Sequence, residues 1–135
     1  MAALIKPFRR PRLWLGVWLL LVTIVIVLSL TPPPPMPPLP SGTDKVEHFV
    51  AYFILSAGAV QVFAARNTQL WIGIALIALG ALLELAQANL TVTRLMDLQD
   101  AIANAFGVLA GLATAVSRWN DLALRLDQRR RNPRL

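Results

Sequence analysis

The sequence predicts an all-α membrane protein with four transmembrane helices, on the basis of its composition and its pattern of apolar segments. The chain has 135 residues, 56% of them hydrophobic and 15% charged, and a mean hydropathy of +0.59. A soluble domain carries about a quarter charged residues. Short segments separate the apolar stretches, and none shows the alternation of a strand. The stretches cover residues 13–30, 49–65, 70–88 and 101–116. We therefore expect one membrane domain.

The first stretch, residues 13–30, is nearly free of polar groups and approaches the roughly 20 residues needed to cross a bilayer. The basic residues before it also fit a signal peptide. Its apolar run is longer than the ~7–15 residues typical of a signal peptide, and the segment TPPPPMPPLP offers no small-residue cleavage site. We favour a retained first helix.

A proline-rich outer loop, residues 31–43, joins helices 1 and 2. Such a segment favours stiff polyproline II structure, reaching on the order of 28 Å at ~3.1 Å per residue. We expect it to let the first helix stand apart from a three-helix core over residues 44–116. Residues 117–135 then form a basic tail.

Lysine and arginine positions predict the orientation. With four spans, Lys45 and Arg94 lie outside and the other eleven of 13 basic residues lie in the cytoplasm. This distribution follows the positive-inside rule, so both termini are predicted to be cytoplasmic. It also accounts for the net charge of +6 without a nucleic-acid partner. The tail is interpreted as a topology anchor, with contact to anionic lipid as the alternative.

Each of the last three predicted helices carries its polar and small residues on one face. At the outer ends of these helices, the polar groups predict an outward-facing pocket beneath the loop before helix 4. Gly107 and Gly111 form a GxxxG pair, which indicates close helix packing and allows an oligomer. The candidate ligand-binding residues are Asp44, Lys45, His48, Tyr52, Glu84, Gln87, Arg94, Asp97, Asp100 and Asn104.

Structural roles compete with binding at these positions. Asp44, Asp97 and Asp100 suit helix N-termini, where acidic groups cap or meet the helix dipole. His48 and Tyr52 fit an interfacial aromatic belt. Glu84 could pair with Arg94 and hold the loop. Gln87 and Asn104 could provide interhelical hydrogen bonds.

The segments DKVEHFVAY and ELAQANLTVTRLMDLQDAIANAFGVLAG resemble the VanZ-like family of small bacterial membrane proteins over about residues 44–116. The resemblance rests on the order and spacing of the residues named above, together with Gly107 and Gly111. It implies a multi-pass protein of the bacterial inner or plasma membrane with a role in the cell envelope. The family name further implies a link to teicoplanin resistance, a glycopeptide resistance, but no defined reaction.

Three functions follow from the predicted pocket. It could bind an anionic lipid or wall-precursor headgroup, with Lys45 and Arg94 holding the anion. It could catalyse a reaction on an envelope lipid, with His48 and Glu84 as acid and base. It could be a structural latch without a ligand.

No cofactor is predicted, and no metal site either. Metal catalysis would need His48 with Asp44, Glu84 or Asp100, a set with a single imidazole. The chain also lacks cysteine, which excludes disulfides and thiolate metal ligands.

Overall fold

The computed structural model of the protein describes residues 4–32, 35, 37, 40–90 and 97–129, and over these residues the protein is helical. Arg94, part of the proline-rich loop and the last residues of the tail lie outside the described residues. The helices are α1 (Pro11–Leu30), α2 (Thr43–Val62), α3 (Arg66–Leu90), α4 (Leu98–Ala113) and α5 (Leu122–Arg129), with a 3-10 turn at Thr114–Val116.

Among the described residues, three helical segments are long and apolar enough to cross a membrane. They are Pro11–Leu30, Arg66–Asn89 and Leu98–Val116. The helix α2 is not among them, and its first two turns contain Asp44, Lys45 and Glu47. Large apolar side chains such as those of Leu28, Trp71 and Phe106 are exposed on the helices. Such faces suit contact with lipid tails, and the membrane character predicted from composition is confirmed to this extent.

Neighbouring helices run antiparallel, so α2 and α4 lie side by side in the same direction. Lys45 at the start of α2 meets Asp97 before α4, and Ser56 further along α2 donates a hydrogen bond to the Val108 carbonyl at 2.8 Å. The ends of α1 and α3 therefore lie beside the starts of α2 and α4. We call this the polar end of the molecule, and the other the opposite end.

The contact between α2 and α4 is the most extensive in the fold and depends on the two glycines of α4. A Cβ atom on Gly107 would lie 2.3 Å from the Phe49 carbonyl oxygen, and one on Gly111 would lie 2.7 Å from the Phe53 oxygen. The two helix backbones thus approach too closely for any side chain at these positions. The surface expected to serve an oligomer is therefore occupied by α2 of the same chain.

The expectation that the first helix stands apart is wrong, because α1 packs against both α2 and α3. Trp18 is 9% exposed, and its indole N–H donates to the Leu55 carbonyl at 2.9 Å. Its ring also meets Phe63 edge-on, with centroids 5.3 Å apart. A buried tryptophan with its N–H paired fixes the helix against its neighbour.

Two of the acidic residues predicted for the site lie at helix N-termini. Asp97 is the N-cap of α4, and its Oδ1 accepts a hydrogen bond from the Gln99 N–H at 2.8 Å, as predicted. Asp44 lies inside the first turn of α2, because Gly42 takes the capping position with φ of +86°. The left-handed conformation of Gly42 is one that other residues rarely adopt.

The predicted tail contains a helix that the sequence analysis missed. Asp121, just before α5, forms an ion pair with the buried Lys6 at 2.9 Å. The Gln61 side chain accepts from the Ala123 N–H at 3.0 Å and donates to the Trp119 carbonyl at 2.8 Å. These contacts dock α5 onto the opposite end of the helices.

The glycine contact makes a direct prediction about stability. Gly107→Ala should destabilise the protein by about 1–3 kcal/mol, because the new methyl group would overlap the α2 backbone and force the two helices apart. Gly16→Ala is the matched control, since a Cβ there meets nothing within 4 Å. Thermal unfolding in detergent measures both variants. Equal melting temperatures for Gly107→Ala and wild type would contradict the close contact.

Candidate functional site

Most of the polar residues predicted from the sequence meet at the polar end, between α2, α3 and α4. Glu84, Gln87, Asn104 and Tyr52 are each no more than 3% exposed, although they carry polar groups. Polar side chains buried to this degree must find partners or a ligand, since unpaired burial costs free energy. The site is therefore a polar core at one end of a largely apolar bundle.

Lys45 lies in a cluster of three carboxylates at the mouth of this core. Its Nζ is 3.1 Å from Asp44 Oδ2, 2.9 Å from Asp97 Oδ2 and 3.2 Å from Asp100 Oδ1. The hydrogen bond from Lys45, followed by the one from the Gln99 N–H, holds the pKa of Asp97 below its ordinary value. An ammonium group has three donors, and these contacts use all of them. Lys45 therefore links α2 to the start of α4 and would have to give up a carboxylate to hold an anion.

His48 lies one turn further into the bundle, with a different group facing each ring nitrogen. Its Nδ1 is 3.0 Å from Asn104 Oδ1 and 3.7 Å from Glu84 Oε1, while its Nε2 is 3.8 Å from Asp100 Oδ2. An amide oxygen only accepts, so Nδ1 donates in the pair with Asn104. When the ring is neutral, Nε2 then holds the lone pair. This arrangement fixes the ring and leaves one nitrogen able to accept a proton.

Tyr52 contributes a buried hydroxyl to the same region. Its ring packs beside Asn104 over Gly80, where an added Cβ would lie 3.0 Å from Asn104 Nδ2 and 3.3 Å from Tyr52 Cε1. Within the described part of the chain, the hydroxyl oxygen is fully buried and has no hydrogen-bond partner. The Tyr52 phenol is therefore part of the packed polar core.

A cavity of about 170 Å³ opens beside His48 and Tyr52, between α1 and α2. Its walls combine polar and apolar groups: Val25, Leu28, Ser29, Glu47, His48, Ala51 and Tyr52. The first helix supplies one wall, and the sequence analysis assigned neither Ser29 nor Glu47 to the site. Ser29, a polar residue near the end of an apolar helix, was the available signal in the sequence.

Gln87 connects the first helix to the site. Its side-chain N–H donates to the Ser29 carbonyl at 2.6 Å, near the end of α1. This bond supports the prediction that Gln87 joins helices, although the partner is α1 and not the core helices alone. Arg94, the expected anion ligand, lies outside the described residues.

By distance, His48, Glu84 and Asp100 could each offer one atom to a metal ion, since these atoms lie within 4.8 Å of one another. A second acidic group, Asp44, Asp97 and Asp100, surrounds the ammonium of Lys45. The first set has a single imidazole whose Nδ1 is already bonded to Asn104. A metal ion would therefore have to bind this ring through its other nitrogen, Nε2.

Comparison of the chain with models of known protein families, with curated proteins and with solved structures finds no match.

The carboxylate cluster predicts an unusual pH dependence. In wild type, the lowered pKa of Asp97 means that its ion pair contributes stability above the ordinary pKa, and that this stability is lost as the pH falls through the lowered value. In Lys45→Met, the carboxylates face one another without a cation and should repel as they ionise. Between about pH 3 and 6, the melting temperature should rise with pH in wild type and rise less, or fall, in Lys45→Met.

Lys45→Arg is the control for this measurement, because it keeps the positive charge. Thermal unfolding of the three proteins across the pH series gives the comparison. The same pH profile in Lys45→Met and wild type would show that the cluster does not contribute to stability.

Proposed function

We propose that the chain crosses a bacterial inner or plasma membrane four times, with both termini in the cytoplasm and the polar end facing outward. The antiparallel order of α1 to α4 supports this arrangement, as does the predicted location of all basic residues but Lys45 and Arg94 on one side. The charges of α2 lie at its first turns, where they would reach the outer headgroup region.

At that outer end, we propose that the protein binds the headgroup of an envelope lipid or of a lipid-linked wall precursor. The observation that carries this proposal is the cavity between α1 and α2, where the His48 ring and the Tyr52 phenol adjoin apolar walls from Val25 and Leu28. A pocket with polar and apolar sides suits an amphiphile, because the headgroup and the first carbons of its chain each meet matching groups.

The charges at the polar end limit which headgroups can bind there. The described residues of the polar end include more carboxylates than cations: the ammonium of Lys45 lies among the carboxylates of Asp44, Asp97 and Asp100, and the side chains of Glu47 and Glu84 lie nearby, in the cavity lining and beside His48. A bare anion would be repelled there unless Arg94 holds it. A headgroup with amino, amide or hydroxyl donors beside its phosphate meets both requirements. This is the chemistry of a phosphoethanolamine or of a glycosylated wall precursor.

The VanZ-like resemblance supports the same assignment and extends it. It supports a role in the bacterial cell envelope, and we extend the proposal to glycopeptide resistance, including teicoplanin resistance.

Catalysis on the bound lipid is the second candidate function, favoured by the geometry at His48. Asn104 fixes its ring, and Asp100 lies 3.8 Å from Nε2. A ring held in this way can move a proton to or from a bound group. A reaction would be abolished in His48→Ala, whereas a binding function would mainly lose affinity.

Filling the cavity should remove the lipid. Ala51→Leu places a larger side chain into the space between α1 and α2. We therefore expect this variant to retain at least about tenfold less phosphatidylethanolamine than wild type, a loss of ~1.4 kcal/mol or more in binding free energy. Ala75→Leu, on an exposed position of α3, is the matched control. Native mass spectrometry measures lipids retained from an equal mixture of phosphatidylethanolamine and phosphatidylglycerol.

Equal retention of phosphatidylethanolamine by wild type, Ala51→Leu and Ala75→Leu would overturn the headgroup proposal. A loss confined to phosphatidylglycerol in Ala51→Leu would instead show that a bare anionic group is sufficient for this pocket. A purely structural latch predicts that Glu84→Gln lowers the folded yield and leaves lipid selection unchanged.

A further inference from the structure

The opposite end of the molecule contains a second and larger cavity, of about 640 Å³, between the start of α1 and α5. Its lining combines arginines with apolar side chains: Arg9, Arg10, Leu13, Trp14, Leu126, Asp127 and Arg129. The acidic polar end and this basic cavity therefore lie at opposite ends of the same bundle.

The cavity is built by a specific contact between the two chain ends. Asp127 on α5 accepts hydrogen bonds from the Arg9 backbone N–H at 2.6 Å and from the Trp14 indole N–H at 3.1 Å. These donors hold the pKa of Asp127 below its ordinary value, the Arg9 bond having the larger effect. Trp14 also stacks on Phe8, with ring centroids 5.2 Å apart. One wall of the cavity is thus fixed by a paired carboxylate and an aromatic pair.

The arginine side chains at the rim carry an excess of positive charge. Among the described residues, the guanidinium groups of Arg9, Arg10 and Arg129 form no ion pair. Asp127 is the one carboxylate in the lining, and backbone and indole donors already engage it. Guanidinium groups favour phosphate oxygens, to which they can donate paired hydrogen bonds.

Apolar surface continues from the arginines into the bundle. Leu13 and Leu126 are 53% and 50% exposed, and both line the cavity. Leu13 begins the apolar run of α1, so this surface leads from the rim toward the depth of the lipid tails. A ligand that fits this cavity carries negative charge at one end and hydrocarbon at the other.

We propose that this cavity binds the headgroup of an anionic phospholipid in the leaflet on its own side of the membrane. Arg9, Arg10 and Arg129 hold the phosphate, and the acyl chains lie along Leu13 and Leu126. Anionic lipids attract clustered basic residues near the surface of the cytoplasmic leaflet. The site is separate from the outward pocket and does not depend on what that pocket binds.

The test compares two triple variants that remove equal charge from the same end of the protein. The cavity variant is R9Q/R10Q/R129Q, and the control is R12Q/R66Q/R118Q, whose arginines are exposed and outside the lining. Each protein is released for native mass spectrometry from nanodiscs that contain equal amounts of phosphatidylglycerol and phosphatidylcholine.

Wild type and the control should retain phosphatidylglycerol over phosphatidylcholine by roughly tenfold or more, and the cavity variant should lose this preference. The same preference in all three proteins would overturn the proposal. So would an equal loss in both variants, because net charge would then explain retention. Displacement of the lipid by an equal concentration of soluble glycerol phosphate would also overturn it, since the acyl chains would then contribute nothing.

A second measurement starts from wild type, so it does not require the triple cavity variant to fold. Brominated acyl chains quench nearby tryptophans, and Trp14 lines the cavity. At a low fraction of brominated lipid, brominated phosphatidylglycerol should quench wild type more than brominated phosphatidylcholine does, and Trp14→Phe should remove the difference. Equal quenching by the two lipids in wild type would contradict a site for the anionic lipid beside Trp14.

Discussion

The glycine contact between α2 and α4 is the constraint on which the rest of the structure depends. At Gly107 and Gly111 the two backbones lie so close that the alignment of the parallel helices along their axes, their register, is fixed. That register places Lys45 against Asp97 and His48 against Asn104. A wider spacing would separate these pairs and leave their charges to water or lipid. Close packing through small residues is thus what assembles the polar end.

Burial of polar groups at that end has two consequences. The hydrogen bonds and ion pairs hold α1, α3 and α4 around α2, since each polar group must be satisfied where water is scarce. The same burial leaves the side chains of His48 and Tyr52 beside a cavity that α1 closes. The polar end therefore has both a structural role and a proposed binding role.

Charge divides the molecule along its length. Carboxylates outnumber cations among the described residues of the polar end, while arginines surround the cavity at the opposite end. Both cavities involve α1: Ser29 lines the first and Trp14 the second. A helix expected to stand apart is thus a wall of both sites, and the docked α5 completes the second. The two proposed lipids would differ because the charges facing them differ.

The sequence by itself determined the helical class, the membrane character and the grouping of most polar residues, because composition and helical periodicity are local properties of the chain. It also predicted Asp97 as a cap from its position before an apolar run. Only the tertiary structure decided that α1 packs on the core, that Lys45 is enclosed by carboxylates and that α5 docks beside Arg9. These outcomes depend on contacts between residues far apart in the sequence, such as Trp18 with Leu55, 37 positions apart, and Trp14 with Asp127, 113 positions apart. No local sequence pattern indicates which distant residue a side chain contacts.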